Sequence, residues 1–257
     1  MNPFVAVALA TLLTILVREL GWLTGTGAPA AIAVGSAVFW GGGPGGVLLL
    51  ATFVATSSLL TRRTADRSGA PSGRPAIGRN ARQVTANGGC AAAGALLIPV
   101  LPETGWAVLT GGLAAAQADT WATEIGAGSP VPPRLITSGQ VVAKGTSGGV
   151  TALGPAGGIA GASLFAAVAA VLGTPGRTVA GAWIGGIVGM FADSFLGATL
   201  QGMFHCDTCA LDTERPVHAC GRPARLMRGL RWMDNDVVNL AATCAGAAAT
   251  VAWVRLS

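Results

Sequence analysis

Long apolar stretches alternate with short polar ones along the chain, and the stretches are too long for buried strands. They run from Pro3 to Val17, Ala28 to Trp40, Gly46 to Leu60, Val84 to Leu101, Trp106 to Ile125, Gly148 to Leu172, Val179 to Met203 and Val237 to Val254. A helix that crosses a bilayer takes about 20 mostly apolar residues. The pattern therefore predicts an all-α, polytopic transmembrane bundle of about eight spans, with seven as the alternative. The ambiguity sits at Gly41-Gly42-Gly43-Pro44-Gly45-Gly46, where two short stretches meet either as two tight spans or as one re-entrant hairpin. No basic residue precedes the first stretch, so it reads as a retained span and not as a cleaved signal. The 257 residues form one integral membrane domain, with 204–235 as a polar loop within it.

Composition agrees with lipid contact. The chain is 51% hydrophobic and 11% charged, against about a quarter charged in soluble domains. Its 39 glycines suit helices that approach closely in lipid, where little hydrophobic drive acts between them. A Gly/Ala bias in the coding DNA is the competing explanation.

The net charge of +5 matters through its placement. One basic cluster holds Arg62, Arg63, Arg67, Arg74, Arg79 and Arg82; a second holds Arg215, Arg222, Arg225, Arg228 and Arg231. Arg134 and Lys144 lie in a loop between them. Short loops rich in Lys and Arg stay in the cytoplasm, so the loops at 61–83, 126–147 and 204–235 are expected on one cytoplasmic face of a plasma or inner membrane. Charge confined to membrane-edge loops argues against nucleic acid as a partner.

Acids inside apolar stretches carry the chemistry. Asp119 and Asp193 interrupt such stretches, at a cost of a few kcal/mol unless they face a cavity, a partner or a metal. An interhelical hydrogen bond is the plain structural explanation. Ala118-Asp119-Thr120-Trp121 is weakly echoed by Ala192-Asp193-Ser194-Phe195. Glu124 lies about a turn and a half beyond Asp119, either in the same site or at the interface. At the last stretch, Asp234 or Asn235 suits a helix cap, which leaves Asp236 and Asn239 to explain. Such oxygens suit Mg²⁺.

Lys144-Gly145-Thr146-Ser147-Gly148-Gly149 is expected to open a helix as a phosphate cradle; a flexible entry loop is the alternative. Arg79 and Arg82, at i,i+3, either grip a phosphate or anchor the cytoplasmic edge. Asn87 lies inside the following stretch. Cys206, Cys209, His218 and Cys220 have spacing suited to a structural Zn²⁺, with His205 as a spare ligand. Free cysteines and redox chemistry are the alternatives, and a reducing cytoplasm disfavours disulfides.

Several of these motifs form an ordered series. Asp119-Thr120-Trp121-Ala122-Thr123-Glu124, Pro133-Arg134-Leu135-Ile136-Thr137, Gly145-Thr146-Ser147-Gly148-Gly149-Val150, Asp193 to Gln201, and Asn235-Asp236-Val237-Val238-Asn239 together resemble the integral membrane family that includes plant phytyl-phosphate kinase. The Cys/His loop is also similar to that family's last loop. Ser147 stands where the pattern more often has Asn.

The resemblance implies a membrane-embedded kinase. It would transfer the γ-phosphate of a nucleoside triphosphate, CTP by analogy with polyprenol kinases, to a prenyl monophosphate such as phytyl or geranylgeranyl phosphate. Asp119, Glu124, Asp193 and Asp236 become the catalytic acids, with Asp119, Asp193 and Asp236 holding Mg²⁺. Arg79, Arg82, Asn87, Arg134, Lys144, Gly145, Thr146, Ser147, Gly148, Gln201, Asn235 and Asn239 become the substrate and phosphate contacts. A membrane cytidylyltransferase acting on a lipid phosphate and a metal-dependent transporter are the alternatives. Membrane lipids are expected partners, and a homo-oligomer is left open.

Overall fold

The computed structural model describes residues 2–67 and 78–257. Among them are seven helices: α1 (Pro3–Glu19), α2 (Gly27–Arg67), α3 (Ala81–Leu97), α4 (Pro102–Ala127), α5 (Leu153–Val171), α6 (Gly176–Thr199) and α7 (Asn235–Leu256). Arg74 lies outside the described residues. Thr61 to Arg67, expected as loop, continue α2.

Local chemistry explains several boundaries. α3 opens with a capping box in which Asn80 and Gln83 each satisfy the other's backbone N–H, as such motifs do. α4 opens on Pro102, where the missing N–H costs nothing. Asp234 caps α7 by accepting from the Val237 N–H at 3.2 Å.

α2 is broken at Gly43, whose φ of 56° and ψ of −155° leave the helix. That φ favours glycine, and the following Pro44 cannot donate into the turn before it. The two arms fold back on each other: a Cβ at Gly46 would lie 3.4 Å from the Val38 carbonyl. At the other end, Arg79 touches Ser58 on the second arm, while its carbonyl lies against Gly27 on the first. The glycine string thus makes a helical hairpin.

Counting both arms, eight helical segments alternate in direction. The basic loops gather at one end, where Thr64 Oγ1 donates to the Glu124 carbonyl at 3.5 Å and Arg62 donates to the Leu20 carbonyl. The Arg177–Glu103 ion pair, at 2.5 Å, marks the opposite end.

The expectation of eight spans is not reached by length and apolarity. Among the described residues, four helices are long and apolar enough to cross a membrane: α2, α5, α6 and α7. α1 and α3 have only 17 residues each. α4 is long enough but less apolar, for a physical reason. It packs against α2, α3, α5, α6 and α7, and residues from Ala107 to Ala118 are almost wholly buried. A helix enclosed by protein need not be dressed for lipid.

Small residues close the α4–α6–α7 seam. A Cβ at Gly185 would lie 2.4 Å from the Gly246 carbonyl, and one at Gly189 would lie 2.4 Å from Ala115 Cβ. This is the close helix approach that membrane bundles use. Gln117, fully buried, donates to the Gly161 carbonyl at 2.9 Å and ties α4 to α5.

The all-α expectation needs amending in the loops. β1 (Arg134–Leu135) pairs antiparallel with β2 (Gly149–Val150), and β4 (Leu211–Thr213), β3 (Met203–Cys206) and β5 (Arg225–Arg228) form a small sheet. Gly148 to Val150, expected to open a span, therefore belong to a loop and strand. The helix begins at Leu153, five residues after Gly148.

Candidate functional site

α4 and α6 run in the same direction and pack side by side. Their acids meet: the Asp119 and Asp193 side chains adjoin on the wall of one cavity. The weak sequence echo thus becomes a spatial pair, near the loop end of both helices. Asp193 Oδ2 is buried with no hydrogen-bond partner. Buried carboxylate oxygens are rarely left so.

The pair lines a cavity of about 240 Å³. Lys144, the Gly145–Gly149 turn and Asn235 also form its walls, together with Phe191, an exposed residue of α6. The turn is held open by positive φ at Gly145 (85°) and Gly148 (78°). At Gly148 no side chain is tolerated, since a Cβ would sit 2.4 Å from the Ala198 nitrogen. The turn faces the acids, but it does not lead straight into a helix as expected. Lys144 instead donates to the Ser129 carbonyl at 2.7 Å, just past the C-terminus of α4. Arg228 does the same for α6, donating to the Ala198 carbonyl at 2.6 Å. Both cations lie where the helix dipole favours positive charge.

Glu214 also lines the cavity and was not singled out from the sequence. It accepts from the Ser147 N–H at 3.3 Å and from the Ser147 hydroxyl. Its only sequence signal is a carboxylate in a loop otherwise dominated by arginine. The charged groups lining the cavity are therefore three carboxylates and one ammonium. With its carboxylates ionised, that set attracts a cation.

The other predicted residues lie elsewhere. Arg82 binds Asp234 at 2.5 Å and Asp236 at 3.4 Å, so Asp236 is paired outside the cavity. Arg79 and Asn87 line a different cavity. Glu124, Arg134, Gln201 and Asn239 do not line the carboxylate cavity. Arg134 donates to the Gly139 carbonyl at 2.8 Å. Gln201 is buried, with Nε2 unpartnered.

The 204–235 loop carries a second centre. Ligand atoms of Cys206, Cys209, His218 and Cys220 all lie within 4.8 Å of one another. Cys206 ends β3, and Cys209 N–H closes a knuckle on the Cys206 carbonyl at 3.2 Å. A second turn brings His218 Nδ1 to 3.2 Å from Cys220 Sγ. Cys206 and Cys220 sulfurs are 3.7 Å apart. Tetrahedral Zn–S bonds of about 2.3 Å imply sulfurs ~3.8 Å apart, so this cluster is compatible with zinc. His205, the expected spare, points to Asp212 at 2.7 Å instead. The hydrogen bond from His218 pulls the Cys220 thiol down to about 6, while contact with Cys220 pushes Cys209 up to about 11.

The model of the family described as integral membrane protein DUF92 matches residues 8–247. The chain belongs to this family. The DUF92 match covers every helix at least in part, the carboxylate cavity and the Cys/His loop, and it is the family the sequence motifs resembled. No curated protein and no solved structure matches the chain.

Proposed function

We propose that this DUF92 protein is a Mg²⁺-dependent kinase that converts a prenyl monophosphate into the diphosphate. The observation that carries the reading is the Asp119–Asp193 pair facing the Gly145–Gly149 turn across one cavity. Two carboxylates in contact repel unless a proton or a cation lies between them. Asp193 Oδ2 lacks a partner, and oxygen donors of this kind fit Mg²⁺. Asp119 and Asp193 would hold the ion, with Asn235 beside them. Bound there, it would neutralise nucleotide phosphates.

Phosphoryl transfer is mostly positioning and charge stabilisation. An oxygen of the acceptor phosphate attacks the γ-phosphorus, the bond to the β–γ bridging oxygen breaks, and nucleoside diphosphate leaves. That acceptor oxygen is already ionised at neutral pH, so no strong base is required. Backbone N–H groups of the 145–149 turn and Lys144 are suited to hold phosphate oxygens. Phe191, 40% exposed, stands where the prenyl tail would enter from lipid. We further propose a structural Zn²⁺ on Cys206, Cys209, His218 and Cys220, and a cytoplasmic site, since the basic loops share one end.

The test is purified protein with labelled CTP or ATP, Mg²⁺ and a panel of prenyl monophosphates. A prenyl diphosphate plus nucleoside diphosphate supports the kinase. A nucleotidyl-prenyl product plus pyrophosphate makes it a transferase. No product, with metal-dependent solute flux in liposomes, makes it a transporter.

A further inference from the structure

A second cavity, of about 270 Å³, lies between α1, the two arms of α2 and the start of α3. It shares no lining residue with the carboxylate cavity. It extends from Trp22 and Arg79 at the loop end to Phe39 and Val47 near the hairpin tip. From Ala31 to Phe39 alone it follows about 12 Å of helix.

The walls are apolar, and donors gather at one end. Trp22 Nε1 is buried with no hydrogen-bond partner. Arg79 is half-buried, donates to Ser58 Oγ at 2.7 Å and lies 5.4 Å over the Phe53 ring. Among the described residues no carboxylate lies within ion-pair distance of it. Burial holds its guanidinium below the ordinary value, opposed by Glu124 from further away. A second cation, Arg62, lies over the Trp22 ring at 5.9 Å. A desolvated cation with no carboxylate at ion-pair distance is costly, and so is a buried N–H without an acceptor. One anion at this end would satisfy both.

We propose that this cavity binds one hydrocarbon chain ending in an anionic head, a phosphate monoester or a carboxylate. Arg79 and the Trp22 N–H hold the head, and the hairpin arms with α1 hold the chain. The charge at one end and the apolar tube behind it match an amphiphile; a nucleotide has no counterpart to the tube. The inference does not rest on the kinase reading, because the two cavities are separate.

The test is photolabelling of the full chain in nanodiscs of neutral lipid, without nucleotide or Mg²⁺. Three probes share one diazirine-bearing alkyl chain and differ in head: phosphate, carboxylate or hydroxyl. An anionic probe should label cavity-lining residues of α1 and α2 roughly tenfold more than the hydroxyl probe, since charged hydrogen bonds are the strong ones. Whichever of the two anions labels more identifies the head. Arg79→Gln should lose that preference and Arg79→Lys should keep most of it. Val54→Trp should block labelling by all three probes. If Arg79→Gln does not fold, Trp22→Phe, which deletes only the N–H, should still cut anionic labelling several-fold. Equal labelling by charged and neutral heads, or labelling untouched by Val54→Trp, would overturn the proposal. Loss of kinase activity in a separate assay would leave this result unchanged.

Discussion

Ser147 and Glu214 are joined twice: the Ser147 hydroxyl and its backbone N–H both donate to Glu214 Oε1. Ser147 belongs to the glycine turn and Glu214 to the Cys/His loop, so the loop reaches into the carboxylate cavity and steadies its far wall. Glu214→Ala should free the turn while leaving the helices intact. Amide exchange across Lys144 to Gly149 should speed up about fivefold or more, in line with roughly 1 kcal/mol per lost hydrogen bond. Unchanged exchange there would mean the contact steadies nothing.

The Asp119–Asp193 contact makes an opposite pair of expectations for stability and cation response. Asp193→Asn removes one of two neighbouring charges. In the absence of divalent cation the variant should melt higher than wild type. Mg²⁺ should raise the wild-type melting temperature and leave the variant's nearly unmoved, as binding linkage requires. A variant that melts lower and still responds to Mg²⁺ would remove the pair from the proposed metal site.

The acids were legible in the sequence and their partner was not. Asp119 and Asp193 stand out because each interrupts an apolar helix, where a charge needs a reason. Glu214 lies in a polar loop without periodicity, and nothing local says which way it points. The break in α2 was legible in the glycine string around Pro44, which left two tight spans and one re-entrant hairpin both open. The start of α5 was misplaced because Gly148 and Val150 read as apolar, although the φ of Gly148 stops a helix there. The sheet at 203–228 escaped notice because strands of three or four residues leave no pattern to count. α4 fell short of a typical span for the reason that makes it central: its neighbours are helices and not lipid.

The Cys/His cluster should hold about one zinc per chain when the protein is purified without chelators. Cys206→Ser should abolish the bound metal and expose the loop to protease, with the helical content by circular dichroism unchanged. Metal analysis of wild-type protein that finds no zinc would end this reading.

In zinc-stripped protein, Cys220 and Cys209 should part company. Only a thiolate alkylates. Cys220, brought down to about 6 by the His218 hydrogen bond, should gain reactivity as pH rises through about 6 and be nearly fully reactive by pH 8. Cys209, held near 11, should stay sluggish over the same range. His218→Ala should move the Cys220 midpoint upward. Iodoacetamide kinetics followed by peptide mass provide the measurement, and zinc should protect both residues.

The α4–α6–α7 seam should be intolerant of volume. Gly185→Ala places a methyl 2.3 Å from Thr250 Oγ1 and 2.4 Å from the Gly246 carbonyl. Overpacking of this kind costs about 1–3 kcal/mol. Thermal unfolding in detergent should fall by several degrees, and Gly173→Ala, at a helix end with open space around it, should not show that clash-driven loss beyond its own backbone strain.

That seam also has a genetic reading. Any missense change in a glycine codon adds a side chain, so at Gly185, Gly189 and Gly246 every missense outcome pushes helix backbones apart. Inherited or laboratory loss-of-function alleles should therefore gather at these positions, far from any reacting group, and their carriers should lack the protein itself more often than its chemistry.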